Sequence, residues 1–430
     1  MVTTIFAKSS GAGRSAIAVW RISGPLAGDV LETLSGHRPT PRHASHRRIH
    51  DAVGETIDDG IVLWFPGPKS ATGENLAEVH LHGSQAVSSR FVEVLTGLGL
   101  TPAEPGEFTL RALRNGRMGL LEAEGLGDLL DAETEQQRKQ AQAGYDGSAR
   151  ALVDEWRDGL IEALAVLEAA VDFPDEEDIP ASIADLAVPA LQQVRSSLQD
   201  ELMRSAQGKR LREGLTLAII GPPNVGKSTI LNRLLGEERA IVSDIPGTTR
   251  DVVSARLDLA GRLVEILDTA GLRMQTVDPI EKLGMERSRA VAEKADIIID
   301  VSSPEDRRTD DVSDPRILAI MNKSDLSGDG CAHRLSVSAQ TGAGWSAFLE
   351  ALTGRVESAA SPALFTHDRQ LALLRVGQAG LDRALSDPST DPELLSEDVR
   401  EVINVLDQIT GKITVEDVLG AIFSRFCVGK

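Results

Sequence analysis

The stretch Leu215-Thr-Leu-Ala-Ile-Ile-Gly221-Pro-Pro-Asn-Val-Gly226-Lys227-Ser228-Thr229 decides the fold. An apolar strand, Leu215–Ile220, runs into a glycine-bounded loop, and a helical pattern, Thr229–Leu235, follows. In that order, backbone N–H groups and a helix N-terminus can enclose phosphate oxygens, with Lys227 on the β- and γ-phosphates and Ser228 on Mg²⁺. Asp268-Thr269-Ala270-Gly271 ends the next hydrophobic strand, Leu263–Leu267, where a metal-linked aspartate and a γ-phosphate-sensing glycine belong. Asn322-Lys323-Ser324-Asp325 follows the strand Arg316–Met321, and Ser338-Ala339-Gln340 follows Leu335–Val337. An aspartate in the position of Asp325 accepts hydrogen bonds from guanine N1–H and the exocyclic amine, a pairing that adenine does not offer. The four motifs together read as a guanine-nucleotide site of Asn224, Val225, Gly226, Lys227, Ser228, Thr229, Asp268, Thr269, Ala270, Gly271, Asn322, Lys323, Asp325, Ser338, Ala339 and Gln340.

Working outward, strand-like runs alternate with helical or loop segments over residues 213–355, including Asp296–Val301, which is the βα alternation of a mainly parallel sheet. Only about fourteen residues separate Asp296–Val301 from Arg316–Met321, which leaves little room for the usual crossover helix. Helical spacing flanks this unit on both sides. Leu120 to Val171, about Ala187 to Ala206, and residues 367–426 return apolar side chains every three or four positions. Asp172-Phe-Pro-Asp-Glu-Glu-Asp178 interrupts them with proline and five acidic residues. Residues 1–117 are β-rich, with runs such as Ala16–Ile22, Gly60–Phe65 and Ala77–His82 bounded by Gly and Pro clusters. The architecture expected is a multidomain α/β plus all-α chain: an α+β domain over 1–117, a helical half over 118–212, a P-loop domain over 213–355 inserted in it, and a second helical half over 356–430. There is no internal repeat and no low-complexity tract.

The 430 residues correspond to about three domains, and 41 % hydrophobic content suffices for a core in each. A net charge of −20, from 45 Lys+Arg against 65 Asp+Glu, excludes a protein that coats nucleic acid or anionic membrane with its whole surface. Residues 1–50 oppose that sign with seven Lys/Arg and two Asp/Glu. Cys331 and Cys427 are too few for a disulfide framework or a zinc cluster. The N-terminus lacks the pattern of a signal peptide, and Leu160 to Val171 is too short and too charged to span a bilayer. The chain therefore reads as soluble and cytoplasmic. His80 and His82 alternate on one strand face without a third metal ligand spaced nearby. The His/Arg-rich Gly36–His50 reads as a solvated loop, with contact to phosphate as the alternative.

One position departs from Ras-like enzymes, which place a water-orienting Gln directly after the glycine of the second motif. Here that residue is Leu272, whose side chain cannot position water, so another residue must do so and another charge must serve the transition state. Further stretches carry a closer likeness: Val19-Trp-Arg-Ile-Ser-Gly-Pro25, Pro105-Gly-Glu-Phe108, Asp172-Phe-Pro-Asp-Glu-Glu177, Asp244-Ile-Pro-Gly-Thr-Thr-Arg-Asp251 and the terminal Phe426-Cys-Val-Gly-Lys430. With these the sequence resembles, over essentially its whole length, the TrmE/MnmE family of tRNA-uridine-modifying GTPases.

The resemblance implies a homodimer through the N-terminal domains and two G domains that meet when GTP is bound. It extends the nucleotide site to the switch I loop: Ser243, Asp244, Ile245, Pro246, Gly247, Thr248 and Thr249. Potassium is implied at Asn224, Ser243, Ile245 and Thr248, where it supplies the charge an arginine finger gives elsewhere, and Thr249 joins Ser228 on Mg²⁺. Ser243 stands where the family more often has Thr. Water positioning falls to Glu281, in Glu281-Lys-Leu-Gly284, ten residues past Gly271. The N-terminal domain is implied to bind 5-formyl-tetrahydrofolate or a related one-carbon folate through Arg21, Glu78, Arg117 and the terminal Lys430. At Arg117 the family more often has Lys. The function implied is a GTP hydrolase that, with an MnmG (GidA)-type FAD protein in a heterotetramer, adds a carboxymethylaminomethyl (aminomethyl-type) group at C5 of the wobble uridine, position 34, of certain tRNAs. A regulatory GTPase switch in ribosome or RNA maturation would share the G motifs but lack the folate residues and the terminal motif. A decayed G domain is opposed by intact Lys227, Ser228, Asp268 and Asp325.

Overall fold

The structure, a computed structural model, describes residues 3–172, 183–236, 240–241, 255–267, 291–305, 313–326, 333–386, 391–412, 419, 422–423, 426 and 428–429. The chain divides into two compact units, Met1–Gly127 with Asp407–Lys430, and Asp128–Leu406.

The first unit is built on a six-stranded sheet of order β3-β4-β5-β2-β1-β6: β1 (Ile5–Lys8), β2 (Ser15–Ser23), β3 (Ser45–His50), β4 (Thr56–Phe65), β5 (Leu76–Gly83) and β6 (Thr101–Pro102). All neighbours are antiparallel except β1 and β6. Alternation along β2 and β5 buries Trp20, Ile22, Ala77, Val79 and Leu81 in a core with Leu31 and Leu34 of α1 (Ala27–Ser35) and Phe91 and Leu95 of α2 (Gln85–Gly97). The strand period of two therefore sends Arg21, Glu78 and His80 to the other face. The stretch expected to be a solvated loop, Gly36–His50, ends instead in edge strand β3, because Ile49 is fully buried and anchors it to the core. After α3 (Glu107–Arg114), Leu120 and Ala123 pack with Leu419 and Phe423. Gly106 is left-handed at φ +69, and a Cβ there would lie 2.7 Å from the Phe423 carbonyl oxygen, so glycine permits this close approach.

The second unit joins helices to another six-stranded sheet. The helices are α4 (Leu120–Asp131, which begins in the first unit), α5 (Glu135–Tyr145), α6 (Ser148–Asp172) and α7 (Val188–Glu213). Trp156 stacks on Phe365 at 5.7 Å between centroids and donates its indole N–H to Ser197 Oγ. The helix expected to stop near Ala206 runs to Glu213. Gly208 lies on the buried face between Ser205 and Leu211, and its missing side chain admits Ala363, whose Cβ would lie 2.4 Å from an added one.

The sheet order is β12-β11-β10-β7-β9-β8, with β7 (Leu215–Ile220), β8 (Ala255–Leu259), β9 (Arg262–Ile266), β10 (Ile297–Ser302), β11 (Ile317–Met321) and β12 (Leu335–Ser336). Every pair is parallel except β8 and β9, as the alternating pattern requires. That antiparallel hairpin was not anticipated. Its signal is Ala260-Gly261, at φ +54 and +74, a two-residue turn with both centres left-handed. Helices α8 (Lys227–Gly236) and α9 (Trp345–Ala359) bury Ile230, Leu231, Leu234, Phe348, Leu352 and Val356 against the sheet. The strands β10 and β11 are parallel with Ile298 opposite Ile317. Residues 306–312 of their short connection lie outside the described residues. Helices α10 (Asp368–Ala384) and α11 (Pro392–Thr410) follow. No helix among the described residues is long and apolar enough to cross a membrane.

Candidate functional sites

The loop after β7 is shaped by residues that tolerate unusual backbone. Gly221, at φ +141, passes the end of β10 so closely that a Cβ would lie 2.2 Å from the Val301 carbonyl oxygen. Asn224 is left-handed at φ +67 and exposed. Lys227, the first residue of α8, folds back over the loop and donates to the carbonyls of Gly221 (2.9 Å) and Pro222 (2.7 Å). Burial lowers its pKa from the ordinary lysine value. Its ammonium and the N-terminus of α8 are placed at the same loop, the arrangement that favours an anion.

Asn322 ties this loop to the two base-side motifs. It is 3 % exposed; its Nδ2 donates to the Val225 carbonyl (2.8 Å) and its Oδ1 accepts from the Ala339 N–H (3.0 Å). Gly226 makes room for it, since a Cβ there would lie 2.3 Å from Asn322 Nδ2. Lys323 is left-handed at φ +60, and the Ser324 N–H reaches the Val337 carbonyl (3.1 Å), which leaves Asp325 exposed in a short 3₁₀ turn. Ser338 is buried and closes its own loop, donating its N–H to Ala343 and accepting from Gly342. The structure thus brings together Val225, Gly226, Asn322 and Ala339, with Lys227 over the loop and Ser228 and Thr229 in the first turn of α8.

Arg233 is a residue that sequence reasoning missed. From α8 its guanidinium donates to the Ala339 carbonyl (2.8 Å) and lies 4.9 Å from the Trp345 ring centroid, so it braces the base-side loop against the phosphate-side helix. Ser243, Asp244, Ile245, Pro246, Gly247, Thr248, Thr249, Asp268, Thr269, Ala270, Gly271, Glu281 and Lys430 lie outside the described residues.

In the first unit, Arg21 and Glu78 are cross-strand partners on the face away from the core. Arg21 Nη2 and Nε donate to Glu78 Oε1 (3.1 and 3.3 Å), and His80 Nε2 lies 3.4 Å from Glu78 Oε2. The Arg21 guanidinium also sits 5.8 Å from the Phe108 ring. Glu78 lines a cavity of about 570 Å³ with Arg42, Lys69 and Arg117 over the apolar Phe65 and Leu76. Arg21 does not line it. Arg21 holds the carboxylate that faces the cavity. Gly429, which precedes Lys430, accepts a hydrogen bond from Ser9 Oγ (3.0 Å), and Val428 bridges to Pro105. His82 pairs with Asp58 (2.8 Å), and among the described residues no three His, Cys, Asp or Glu side chains gather as a metal site.

The family described as MnmE helical domain matches residues 120–427, and that described as GTP-binding protein TrmE N-terminus matches residues 4–117. The tRNA modification GTPase MnmE of Rhodopseudomonas palustris is 43 % identical over 99 % of each chain. That of Methylobacterium sp. (strain 4-46) is 46 % identical over the whole of both. Among solved structures, the G domain of the T. maritima FeoB iron transporter covers 33 % of this chain and 99 % of its own at 18 % identity, with a TM-score of 0.24. With two family models spanning nearly all of its length and relatives of this identity along its full extent, the chain is a GTPase and belongs to the MnmE family.

Proposed function

We propose that this GTPase is potassium-dependent and that, as a homodimer with an MnmG-type flavoprotein, it takes part in adding an aminomethyl-type group, carboxymethylaminomethyl in its full form, at C5 of uridine 34 of certain tRNAs. A formyl-tetrahydrofolate is the one-carbon donor. The domain layout proposed is 1–117 for folate and dimerisation, 213–355 for GTP, and 118–212 with 356–430 for the helical domain. The observation that carries the reading is the cavity of about 570 Å³ lined by both Glu78 and Arg117. A small-molecule site in the N-terminal domain supports this reading over that of a switch alone.

The residues at the nucleotide loop divide the work. The backbone N–H groups around Gly226 and the N-terminus of α8 face the phosphates, and Lys227 exchanges the carbonyls of Gly221 and Pro222 for phosphate oxygens. Asp325 accepts the guanine N–H groups, while Asn322 fixes the distance between phosphate loop and base loop. Asn224 is exposed at the loop's left-handed turn, which fits a ligand to potassium shared with Ser243, Ile245 and Thr248. Ser228, with Thr249, fits Mg²⁺. When bound, these cations neutralise charge that develops between the β- and γ-phosphates. Leu272 leaves the attacking water to Glu281. At the folate cavity the residues fit a flat, partly apolar acid: Phe65 and Leu76 supply surface, and Glu78, held by Arg21, accepts from ring N–H groups.

The function is tested by mass analysis of tRNA wobble uridines from a strain lacking the protein. Loss of the C5 group, restored by the intact chain, is expected; unchanged uridines would leave a regulatory switch. The potassium assignment is tested by GTP turnover in KCl and NaCl at equal ionic strength, where at least a tenfold advantage for KCl is expected and equal rates would remove it.

A further inference from the structure

The folate cavity is lined by three cations, one more than the two carboxylates that the glutamate of a monoglutamate folate carries. Arg42, Lys69 and Arg117 all line it, against the single carboxylate of Glu78. Glu78 is already engaged on both oxygens, by Arg21 and by His80. Among the described residues none of the three cations has an ion-pair partner, in a chain whose net charge is −20. All three are exposed.

Arg42 is also held in place. It is left-handed at φ +62, its N–H donates to the Trp64 carbonyl (2.8 Å), its guanidinium lies 5.8 Å from the Phe65 ring, and its Nη2 donates to the Lys69 carbonyl. Arg42 and Lys69 are thus coupled on one rim. The stem of Arg117 packs on Gly73, where a Cβ would lie 3.1 Å from Arg117 Cγ. Three cations converging on one concave surface repel one another unless anions join them, and the two carboxylates of a monoglutamate leave one of the three without a charge partner.

We propose that Arg42, Lys69 and Arg117 form a wall that reads a chain of carboxylates, so that the site selects the oligo-γ-glutamyl form of its folate over the monoglutamate. This rests on the folate reading and deepens it. Glu78 and the apolar floor take the ring end, and each added γ-glutamyl residue brings one carboxylate to the wall. Ion pairs at exposed side chains are individually weak, so the gain from the tail is about tenfold in total and falls as salt rises.

The experiment is calorimetry on the full-length protein with 5-formyl-tetrahydrofolate and with its tri-γ-glutamate. The triglutamate is expected to bind about tenfold more tightly. Lys69→Gln and, separately, Arg42→Gln should bring the two forms to within twofold of each other, with GTP turnover unchanged. Lys69→Gln serves as the second variant because Arg42 also supports its own loop. Equal affinity of the unaltered protein for the two forms would overturn the tail wall and leave the folate reading standing. A preference that survives both substitutions would overturn the assignment to these residues. No binding of either form would overturn the folate reading and the wall with it. Free tri-γ-glutamate binding as tightly as the folate would show a general polyanion site and overturn selection of a folate.

Discussion

The nucleotide loop and the N-terminal cavity place polar groups in opposite ways. At the nucleotide loop the backbone does the placing: Gly221, Asn224, Gly226 and Lys323 take positive φ, and buried Asn322 spans from Val225 to Ala339 by two hydrogen bonds. At the cavity the backbone of β5 is regular, and side chains from distant positions, Arg42 to Arg117, converge on it. The first design is rigid and intolerant of change, because any altered residue moves the chain itself. The second tolerates substitution, because each side chain contributes a modest, partly solvated contact.

The largest effect is expected at the base. Asp325→Asn removes two charge-assisted acceptors, at about 1.5 kcal/mol each, and should weaken GTP binding about a hundredfold while admitting xanthosine triphosphate, measured by fluorescent-nucleotide competition. Retained guanine preference would refute the role of Asp325. Next in size, Asn322→Ala strands the buried Val225 carbonyl and Ala339 N–H. It should destabilise the second unit by about 2 to 4 kcal/mol, read as a lower denaturant midpoint with an unchanged slope. An equal loss for Glu78→Gln in the first unit would show the two regions to be equally intolerant of substitution.

Arg21→Met tests the softer region. Freed from Arg21, Glu78 loses its orientation, and folate affinity should fall about tenfold with GTP turnover unchanged. An intact affinity would show that Arg21 does not position Glu78.

The smallest effect is at the rim of the same sheet. The Asp58 carboxylate, hydrogen-bonded and ion-paired to His82, raises the His82 pKa above its ordinary 6.5. Burial pushes Asp58 up, but its hydrogen bonds from the His82 side chain and from the His82 and Asp59 N–H groups bring it below its ordinary 3.8. The stabilisation from His82 is therefore present below 6.5 and is lost as pH rises through the raised value. That from Asp58 is present above 3.8 and is lost as pH falls through the lowered value. The pair thus helps chiefly between those limits. A proton NMR titration should show His82 above 6.5, and Asp58→Asn should return it there.

These differences also explain what could be read from the sequence. The phosphate loop was legible because its backbone demands glycine and asparagine at fixed spacing, and the βα alternation because apolar strand runs have few other uses. The β8–β9 hairpin was not anticipated, since Ala260 occupies a turn position where Gly or Asn is the usual sign. Helix α7 runs past its expected end near Ala206, where its buried face passes through Ser205 and Gly208 and apolar spacing resumes only at Leu211. Arg233 and Lys69 carry no mark in the sequence, and Arg42 stands out only as one of the basic residues of Gly36–His50. Their roles depend on partners far along the chain, and no local pattern distinguishes them from solvated cations. Arg21 and Glu78 were singled out, yet their pairing across β2 and β5 follows only from strand register.

The length of α7 has a mechanical consequence. Its 26 residues form a rod about 39 Å long at 1.5 Å per residue, and only Gly214 separates its end from β7, the strand that leads into the phosphate loop. A stiff rod turns a small rotation at one end into a translation at the other. A tilt of about 5° at the β7 end moves the far end by about 3 Å, so a change in angle too slight to break any contact at the nucleotide arrives at Val188 as a displacement the size of a side-chain contact.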